Sequence, residues 1–324
     1  ISKALNDPNE VILLDRAMNK QLLVIGSEGF LGKHVTNMLS TQGKDYVEIK
    51  GKKHLDISIK NELEDFLKSH KIESIINCAA FVGGISFGYK YQADLLHKNM
   101  IMSANIYSSA VNCGVDRIIN PISNCAYPGN LEIYDENNFW NGPPHDSVFN
   151  YGIAKRATVG LGKSFFDQYN LTSMNVVFSN MYGPDDHFEE ERSHALGALV
   201  KKIYDAKKEN KDSIEIWGTG KPIREWLYVE DGANAMIKCL DLDSGYYFFN
   251  VGVNKGYSVT EIAQTIANEI SWNGGFTYNT DKPDGVMKKT VNGTLGSEIL
   301  DWKPEVDLEQ GIKKTVEWYL EKNE

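Results

Sequence analysis

The amino-acid sequence predicts an α/β protein: a doubly wound parallel sheet with helices on both faces, followed by a smaller C-terminal α/β lobe. Three observations carry this. The apolar run Gln21 to Ile25 leads straight into the glycine-spaced turn Gly26-Ser-Glu-Gly29-Phe-Leu-Gly32 and then into a helical pattern from Lys33 to Gln42. Short apolar runs and helical stretches alternate from there to Phe178, the pattern of a parallel sheet wrapped by crossover helices. Beyond Asn180 the alternation weakens and a second lobe begins. The expected division is an extension over 1–19, a dinucleotide-binding domain of Rossmann type over 20–180, and a lobe given mainly to substrate over 181–324.

Length and composition bound the rest. At 324 residues, 42% of them hydrophobic, the chain suits two lobes rather than one core. No apolar run approaches the roughly 18 residues that cross a bilayer, so no membrane span is expected. Residues Ile1 to Met18 include Asn6, Asp7, Asn9, Glu10 and Asp15, too acidic for a targeting peptide. The formal net charge of -10 argues against nucleic acid as a partner, since phosphate binding needs a basic face. Cys78, Cys113, Cys125 and Cys239 are too widely spaced for a zinc site or a disulfide framework. A reducing, cytoplasmic setting without metal is the expectation.

Taken in order, the glycine turn comes first. Gly26 allows the tight bend, Gly29 admits a pyrophosphate to the backbone, and Gly32 lets helix and strand pack closely. The N–H groups that open the helix, at Phe30 and Leu31, favour an anion there. The next strand, Tyr46 to Ile49, ends in Lys50-Gly-Lys52-Lys53. Cations at this strand end suit the extra phosphate of NADP(H), although Glu28 in the turn would repel it, so NAD(H) stays open as the alternative. Asp56 is a candidate for the adenine edge.

A helical stretch, Ile59 to Lys68, precedes the buried strand Ser74 to Ala80, and the small-residue loop Phe81-Val-Gly-Gly-Ile85 follows at its carboxyl end, where ligands bind in such sheets. Ala79 and Asn99, the latter on a helix from Ala93 to Val111, complete the cofactor candidates, with Val82 and Gly83 beside the substrate. The strand Ile118 to Ile122 delivers Ser123-Asn-Cys125, and a loop from Asn130 to Asn150 leads to the helix of Tyr151-Gly-Ile-Ala-Lys155. Tyrosine and lysine four apart share one helical face. A cation beside a phenol, whose ordinary pKa is about 10, favours the phenolate and brings it toward the working range. After the strand Ser173 to Phe178, the second lobe is expected to contain a helix within Glu189 to Lys208, strands at Ser213–Trp217 and Trp226–Glu230, and helices at Asp231–Leu240, Thr260–Ile270 and Gly311–Leu320.

With these residues assembled, the chain resembles the extended short-chain dehydrogenase/reductase family of nucleotide-sugar enzymes, and within it the GDP-fucose synthase branch. The likeness runs from about Lys20 to the C-terminus. It rests on the glycine turn, Ala79 to Ile85, Ser123 to Pro128, Tyr151 to Lys155, Asn180 to Pro184, Ser193-His194, Trp217 to Trp226 and Lys282-Pro-Asp-Gly285. It implies a hydride-transfer triad of Ser123, Tyr151 and Lys155, with Lys155 also on the nicotinamide ribose. It implies Cys125 and His194 as an acid–base pair that epimerises the carbons beside a ketone, whose protons are acidic enough for a thiol or imidazole. Asn180, Lys202, Trp217, Arg224 and Lys289 become sugar-nucleotide contacts. Phe81 stands where the branch often has lysine, and Asn124 where it often has serine.

The resemblance implies an NADPH-dependent reduction at C4 of a GDP-linked 4-keto-deoxy sugar, with 3,5-epimerisation before it. The alternatives are a C4-reductase only, on a related GDP-keto-sugar such as a heptose, a cofactor-retaining 4-epimerase, and a non-catalytic NADP-binding scaffold. Relatives pair the helices that start near Ala93 and Tyr151 with their symmetry mates, and Ile101, Ile106, Val111, Val159, Leu161 and Phe165 place apolar residues on more than one of their faces. A homodimer is expected.

Overall fold

A computed structural model describes residues 21–189, 193, 195–282, 284 and 286–323, with the side chains of 85 and 86 also outside it. The expected extension over 1–19 therefore lies outside the described residues. The first sheet is built from β1 (Gln21–Ile25), β2 (Val47–Ile49), β3 (Ile72–Asn77), β4 (Arg117–Ser123), β6 (Thr172–Phe178) and β10 (Tyr246–Val251), in the order β10-β6-β4-β3-β1-β2 with every pairing parallel. Neighbouring residues on one strand serve opposite faces. Leu23, Ile75 and Ile118 sit in one buried cluster, while Val24, Ile76 and Ile119 sit in the other. Such doubly buried strands read as unbroken apolar runs, which is why they were visible in the sequence.

Helices α1 (Phe30–Thr41), α2 (Lys60–Ser69), α3 (Ile85–Lys90), α4 (Gln92–Cys113) and α5 (Phe149–Tyr169) belong to this half, α4 packing along α5. The strand order reverses between β1 and β3, the topological position at which such sheets bind ligands.

The second lobe holds α6 (Ala195–Lys208), α7 (Val229–Lys238), α8 (Val259–Ile270), α9 (Thr294–Leu300) and α10 (Leu308–Asn323). Its sheet runs β11 (Gly256–Ser258), β9 (Ile223–Tyr228), β13 (Lys288–Val291) and β5 (Ile133–Tyr134), with β7 (Asn180–Tyr182) also on β9. A separate parallel pair joins β8 (Ser213–Trp217) to β12 (Gly275–Asn279). Val200, Ile203, Ile262, Ile266 and Ile312 form the lobe's core. The chain crosses between the lobes more than once: β10 closes the edge of the first sheet, and α7 packs on α1.

The strand expected over Trp226–Glu230 ends earlier. Glu230 and Asp231 fall in the first turn of α7, where acids favour the positive end of a helix. The strand expected from Ser74 to Ala80 likewise ends at Asn77, whose side chain bends the chain away by accepting the Ala79 N–H at 3.2 Å. Asn77 closes a buried ladder in which its amide donates to Asn120 at 3.2 Å and that of Asn120 to the Tyr107 hydroxyl at 2.9 Å, which shares a hydrogen bond with Ser173 at 2.6 Å.

Two side chains stitch the lobes. The Glu225 carboxylate, 1% exposed, accepts the N–H groups of Val253 (2.6 Å), Val291 (2.8 Å) and Asn254 (3.3 Å). Asn250, fully buried on β10, donates to the carbonyls of Tyr134 and Asn292 at 3.1 Å each and accepts the Tyr127 hydroxyl at 2.7 Å. Tyr127 stacks on Tyr134 with 4.7 Å between ring centroids. The short strand β5 is thereby held against the segment that carries Ser123 and Cys125. Among the described residues no helix is long and apolar enough to cross a membrane.

Candidate active site

The glycine turn lies where β1 and β3 end side by side. Gly26 has φ +78, and a Cβ built on it would come 2.8 Å from the Ala79 nitrogen; one on Gly32 would come 2.1 Å from the Gly26 carbonyl oxygen. Both positions therefore require glycine. The side chains of Phe30 and Leu31 pack in the core, which leaves their backbone as the part of them that faces a ligand. The Ser27 hydroxyl in the turn is buried with no hydrogen-bond partner among the described residues. A cradle that a single Cβ would fill, with an orphaned donor in it, fits a dinucleotide pyrophosphate.

Around the adenosine end, Lys50 reaches Glu48 at 3.6 Å and Lys52 reaches Asp56 at 3.0 Å. Asp56 also accepts the Ser58 N–H and hydroxyl, which hold its carboxyl below the ordinary carboxylate range. Lys52 and Asp56, read separately in the sequence, are thus partners in the structure. Glu28 is exposed, and its N–H donates to the Lys50 carbonyl at 3.3 Å. Asn99 is bonded to the loop beside the expected cofactor site. Its amide accepts the Phe81 N–H at 3.0 Å and donates to the carbonyls of Phe81 (2.8 Å) and Leu95 (2.6 Å), so the buried side chain clamps the loop after β3. That loop brings Val82 and Gly83 to the same edge; a Cβ on Gly83 would meet the Phe87 ring at 2.6 Å. Phe81 packs on Phe87 and lies under the Lys98 ammonium at 4.3 Å.

The candidate triad comes from β4 and α5. Ser123 Oγ accepts the Cys125 N–H at 3.2 Å, capping the single turn Asn124–Ala126 that presents the thiol. Lys155, 7% exposed, donates to the Pro121 carbonyl at 2.8 Å and lies 5.6 Å from the centre of the Tyr151 ring. Burial lowers the Lys155 pKa to about 8, the nearby Cys78 opposing it, and burial pushes the Cys78 thiol up to about 12. The expectation that Lys155 lowers the tyrosine pKa is not what the structure gives. Burial, and then Cys125, push the Tyr151 phenol above its ordinary value. Removing a phenolate from water is the larger effect here, and the Lys155 ammonium is turned to a carbonyl. Tyr151 is therefore a protonated group in this state.

The second lobe adds cations. Lys289 on β13 is in register with Arg224 on β9. Burial lowers the Lys289 pKa, with Cys125 opposing and Arg224 reinforcing the shift, so these three groups are within electrostatic reach. Tyr134, buried on β5, feels both Cys125 and Arg224. Asn180 accepts the Asn124 amide at 3.3 Å. Trp217 is 65% exposed, and Lys202 turns its ammonium to the carbonyl of Glu215 on the same strand. His194 lies outside the described residues, as do residues 283 and 285 of the Lys282 to Gly285 stretch. Tyr134 and Asp284 were not assigned roles in the sequence. Tyr134 has no local signal there, whereas Asp284 had one, an acid in a proline–glycine turn.

A glycine cradle at the switch point, with Ser123, Tyr151 and Lys155 on the neighbouring strand end and helix and with Arg224 and Lys289 of the second lobe close to Cys125, defines an extended short-chain dehydrogenase/reductase. The shared pattern of the NAD dependent epimerase/dehydratase family matches residues 22–252, and the chain belongs to that family. It is 30% identical over 315 residues to the GDP-L-fucose synthase of Escherichia coli, covering 94% of this chain and 98% of the relative. The NADP-bound GDP-L-fucose synthetase of Naegleria fowleri superposes with a TM-score of 0.85 at 28% identity, covering 94% of each chain. A GDP-6-OMe-4-keto-L-xylo-heptose reductase from C. jejuni superposes at 0.86 and 25% identity, covering 94% of this chain and 99% of that one.

Lys155 makes the site pH-dependent. Its folded pKa of about 8 lies below the ordinary 10.5, so the unfolded chain binds more protons between those values and stability rises with pH across that window. For hydride transfer the sign is opposite, because the ammonium is the useful form. We expect kcat/KM, which reports the free enzyme, to fall by a one-proton step as pH rises through about 8, and the step to vanish in Lys155→Arg. A profile flat across that range in the unmodified protein contradicts the assignment.

Proposed function

We propose that this chain is an NADPH-dependent reductase acting at C4 of a GDP-linked 4-keto-deoxy sugar. The observation that carries the reading is geometric: Lys155 stands 5.6 Å from the centre of the Tyr151 ring and bonds to the strand whose end bears Ser123. Reduction of a ketone needs an acid at the carbonyl oxygen, and a buried neutral phenol is that acid. When bound, the cofactor supplies the hydride. Gly26, Gly29, Gly32 and the Ala79 loop hold its diphosphate and nicotinamide ends, and Lys50 and Lys52 the adenosine phosphate. Ser123 orients the C4 oxygen, Tyr151 delivers the proton to it, and Lys155 holds the nicotinamide ribose and stabilises the phenolate left behind. Arg224 and Lys289 neutralise the sugar diphosphate, for which a guanidinium fork is well matched.

Epimerisation before reduction is the second part of the proposal. The Cys125 thiol is delivered by the same strand end as Ser123, with Lys289 within electrostatic reach. A GDP-linked 4-keto-heptose is the other substrate to try, since the C. jejuni relative of nearly identical fold is a heptose reductase and Phe81 with its ring neighbours departs from the usual lysine at the loop. The division of labour proposed is cofactor binding over 20–180 and substrate binding over 181–324, with β10 and α7 lent back to the first half. The four cysteines are free thiols, which suits a reducing cytoplasm.

Three measurements test this. Purified protein is expected to oxidise NADPH with a GDP-4-keto-sugar, and Tyr151→Phe to lower kcat by about 10²–10⁴-fold. In deuterated water without NADPH, deuterium is expected at C3 and C5 and to disappear in Cys125→Ser, while an already epimerised substrate is still reduced. Reduction without exchange in the unmodified enzyme would leave a simple 4-reductase; no turnover of any GDP-keto-sugar would remove the whole reading. In the same assay Lys50→Ala and Lys52→Ala should lower the NADPH to NADH ratio of kcat/KM, and an unchanged ratio excludes those lysines as readers of the phosphate.

We also propose a homodimer through α4 and α5, on partly different residues from those expected. Ile106 and Val159 are buried in the chain's own core, and Val111, Leu161 and Phe165 pack against it. Met100, Phe149 and Tyr169 remain exposed on these helices. Light scattering is expected to return twice the 36.4 kDa of one chain; the single-chain mass across a dilution series contradicts it.

A further inference from the structure

Lys155 is followed in α5 by a second cation that serves a different segment. The Arg156 Nε donates to the Ala126 carbonyl at 2.6 Å, a short, charge-assisted bond to the turn that presents Cys125. The guanidinium carbon lies 5.4 Å from the centre of the Phe139 ring and 5.8 Å from that of Trp140, while Nη2 is buried with no hydrogen-bond partner among the described residues. Ring faces stand where further acceptors would, a seat that suits a planar, weakly hydrated cation. The seat is anchored to the same turn. Phe139 is fully buried and meets Tyr127 edge-on at 5.0 Å, and Tyr127 closes the turn by donating its N–H to the Asn124 carbonyl at 3.1 Å. Helix α5 touches the turn at a second point, since a Cβ on Gly152 would come 2.6 Å from the Cys125 carbonyl oxygen. Gly152 and Arg156 are four apart and share a helical face, just as Tyr151 and Lys155 share the next one. Glycine lets the turn come close, and the arginine holds it there.

We infer that Arg156 is a positioning residue for Cys125: by holding the Ala126 carbonyl it fixes the thiol-bearing turn against the helix that carries Tyr151 and Lys155. The inference rests on the epimerisation assigned to Cys125 in the proposed function. Its consequence is that the two chemistries of the site depend on Arg156 unequally. Ser123 lies within β4, in register with Phe178 of β6, and Lys155 bonds to Pro121 of the same strand, so the reducing triad is held by the sheet. Cys125 stands beyond the last paired residue of β4. There the turn is held by Ser123 Oγ on the Cys125 N–H at 3.2 Å, by the Asn124 amide on Asn180 at 3.3 Å, and by Arg156, the shortest of the three. Proton abstraction from carbon needs the base at near-attack distance, and a displacement of about 1 Å costs on the order of 100-fold.

The test measures, on the full chain, deuterium uptake at C3 and C5 of a GDP-4-keto-sugar without NADPH and, separately, reduction of the already epimerised substrate with NADPH. Arg156→Met keeps an apolar stem and removes the donors and the charge, and it should lower uptake about tenfold or more while kcat/KM for reduction stays within about twofold. Arg156→Lys keeps a donor and a charge and should recover most of the uptake. Trp140→Leu takes one ring from the seat at an exposed position, 59% accessible, and should lower uptake in the same sense by a smaller factor. Equal losses of uptake and reduction in Arg156→Met would make the arginine a general support of the fold and overturn the inference, as would unchanged uptake, or an Arg156→Lys no better than Arg156→Met. If Arg156→Met does not fold, the decision passes to Trp140→Leu, where unchanged uptake overturns it. Uptake that persists in the variants removes this inference alone; no uptake in the unmodified protein removes the epimerisation reading and this inference with it.

Discussion

The site depends on how an ionisable side chain behaves when the edge of a parallel sheet takes it out of water. Lys155 is covered by the helix it belongs to and by β4, and its ammonium turns to the Pro121 carbonyl. The same enclosure that lowers its pKa to about 8 raises that of Tyr151. Burial disfavours whichever form is charged, so a phenol and an amine placed together are both pushed toward neutrality. The result is a tyrosine that starts as an acid.

The second lobe brings Arg224 and Lys289 close to Cys125 at that edge. Arg224 and Lys289 occupy adjacent strands in register, and β9 divides its pairing, its first half with β11 and β13 and its second with β7, which follows directly from β6 of the first sheet. Glu225, next to Arg224, gathers three backbone N–H groups from the β10 and β13 connections. Burial raises its pKa while those bonds oppose the shift. The carboxyl so bonded ties the β10 and β13 connections to the strand that carries Arg224. Asn250 does the corresponding work for the segment carrying Ser123 and Cys125.

Much of this was readable in the sequence where local chemistry forced the residue. Only glycine fits at Gly26 and Gly32, so the turn announced itself. The doubly buried strands showed as apolar runs, and Tyr151 and Lys155 share a helical face by spacing alone. What was hidden depends on partners distant in the chain. Asn99 clamps the loop at Phe81, and nothing near it in the sequence says so. Strand β10 rejoins the first sheet from the far side of the second lobe, and its partly buried start, Tyr246 to Phe248, lacks the strict alternation that would have marked it. The helix expected from Asp231 begins two residues earlier, at Val229, because the apolar run of β9 continues into its first turn and so makes Val229 and Glu230 read as strand. The sign of the tyrosine shift was legible to neither spacing nor motif, since it is set by the volume of protein around the pair.

That Tyr151 stands as a neutral phenol before reaction is tested by its own titration. Tyrosine labelled with ¹³C at Cζ, assigned by comparison with Tyr151→Phe, would be followed by NMR as pH is raised in the cofactor-free protein. The account predicts that the Tyr151 resonance stays at its phenol position after exposed tyrosines have moved through their ordinary value of about 10. A Tyr151 that becomes phenolate near neutral pH would contradict it, and would make the lysine, rather than burial, the force that sets this site.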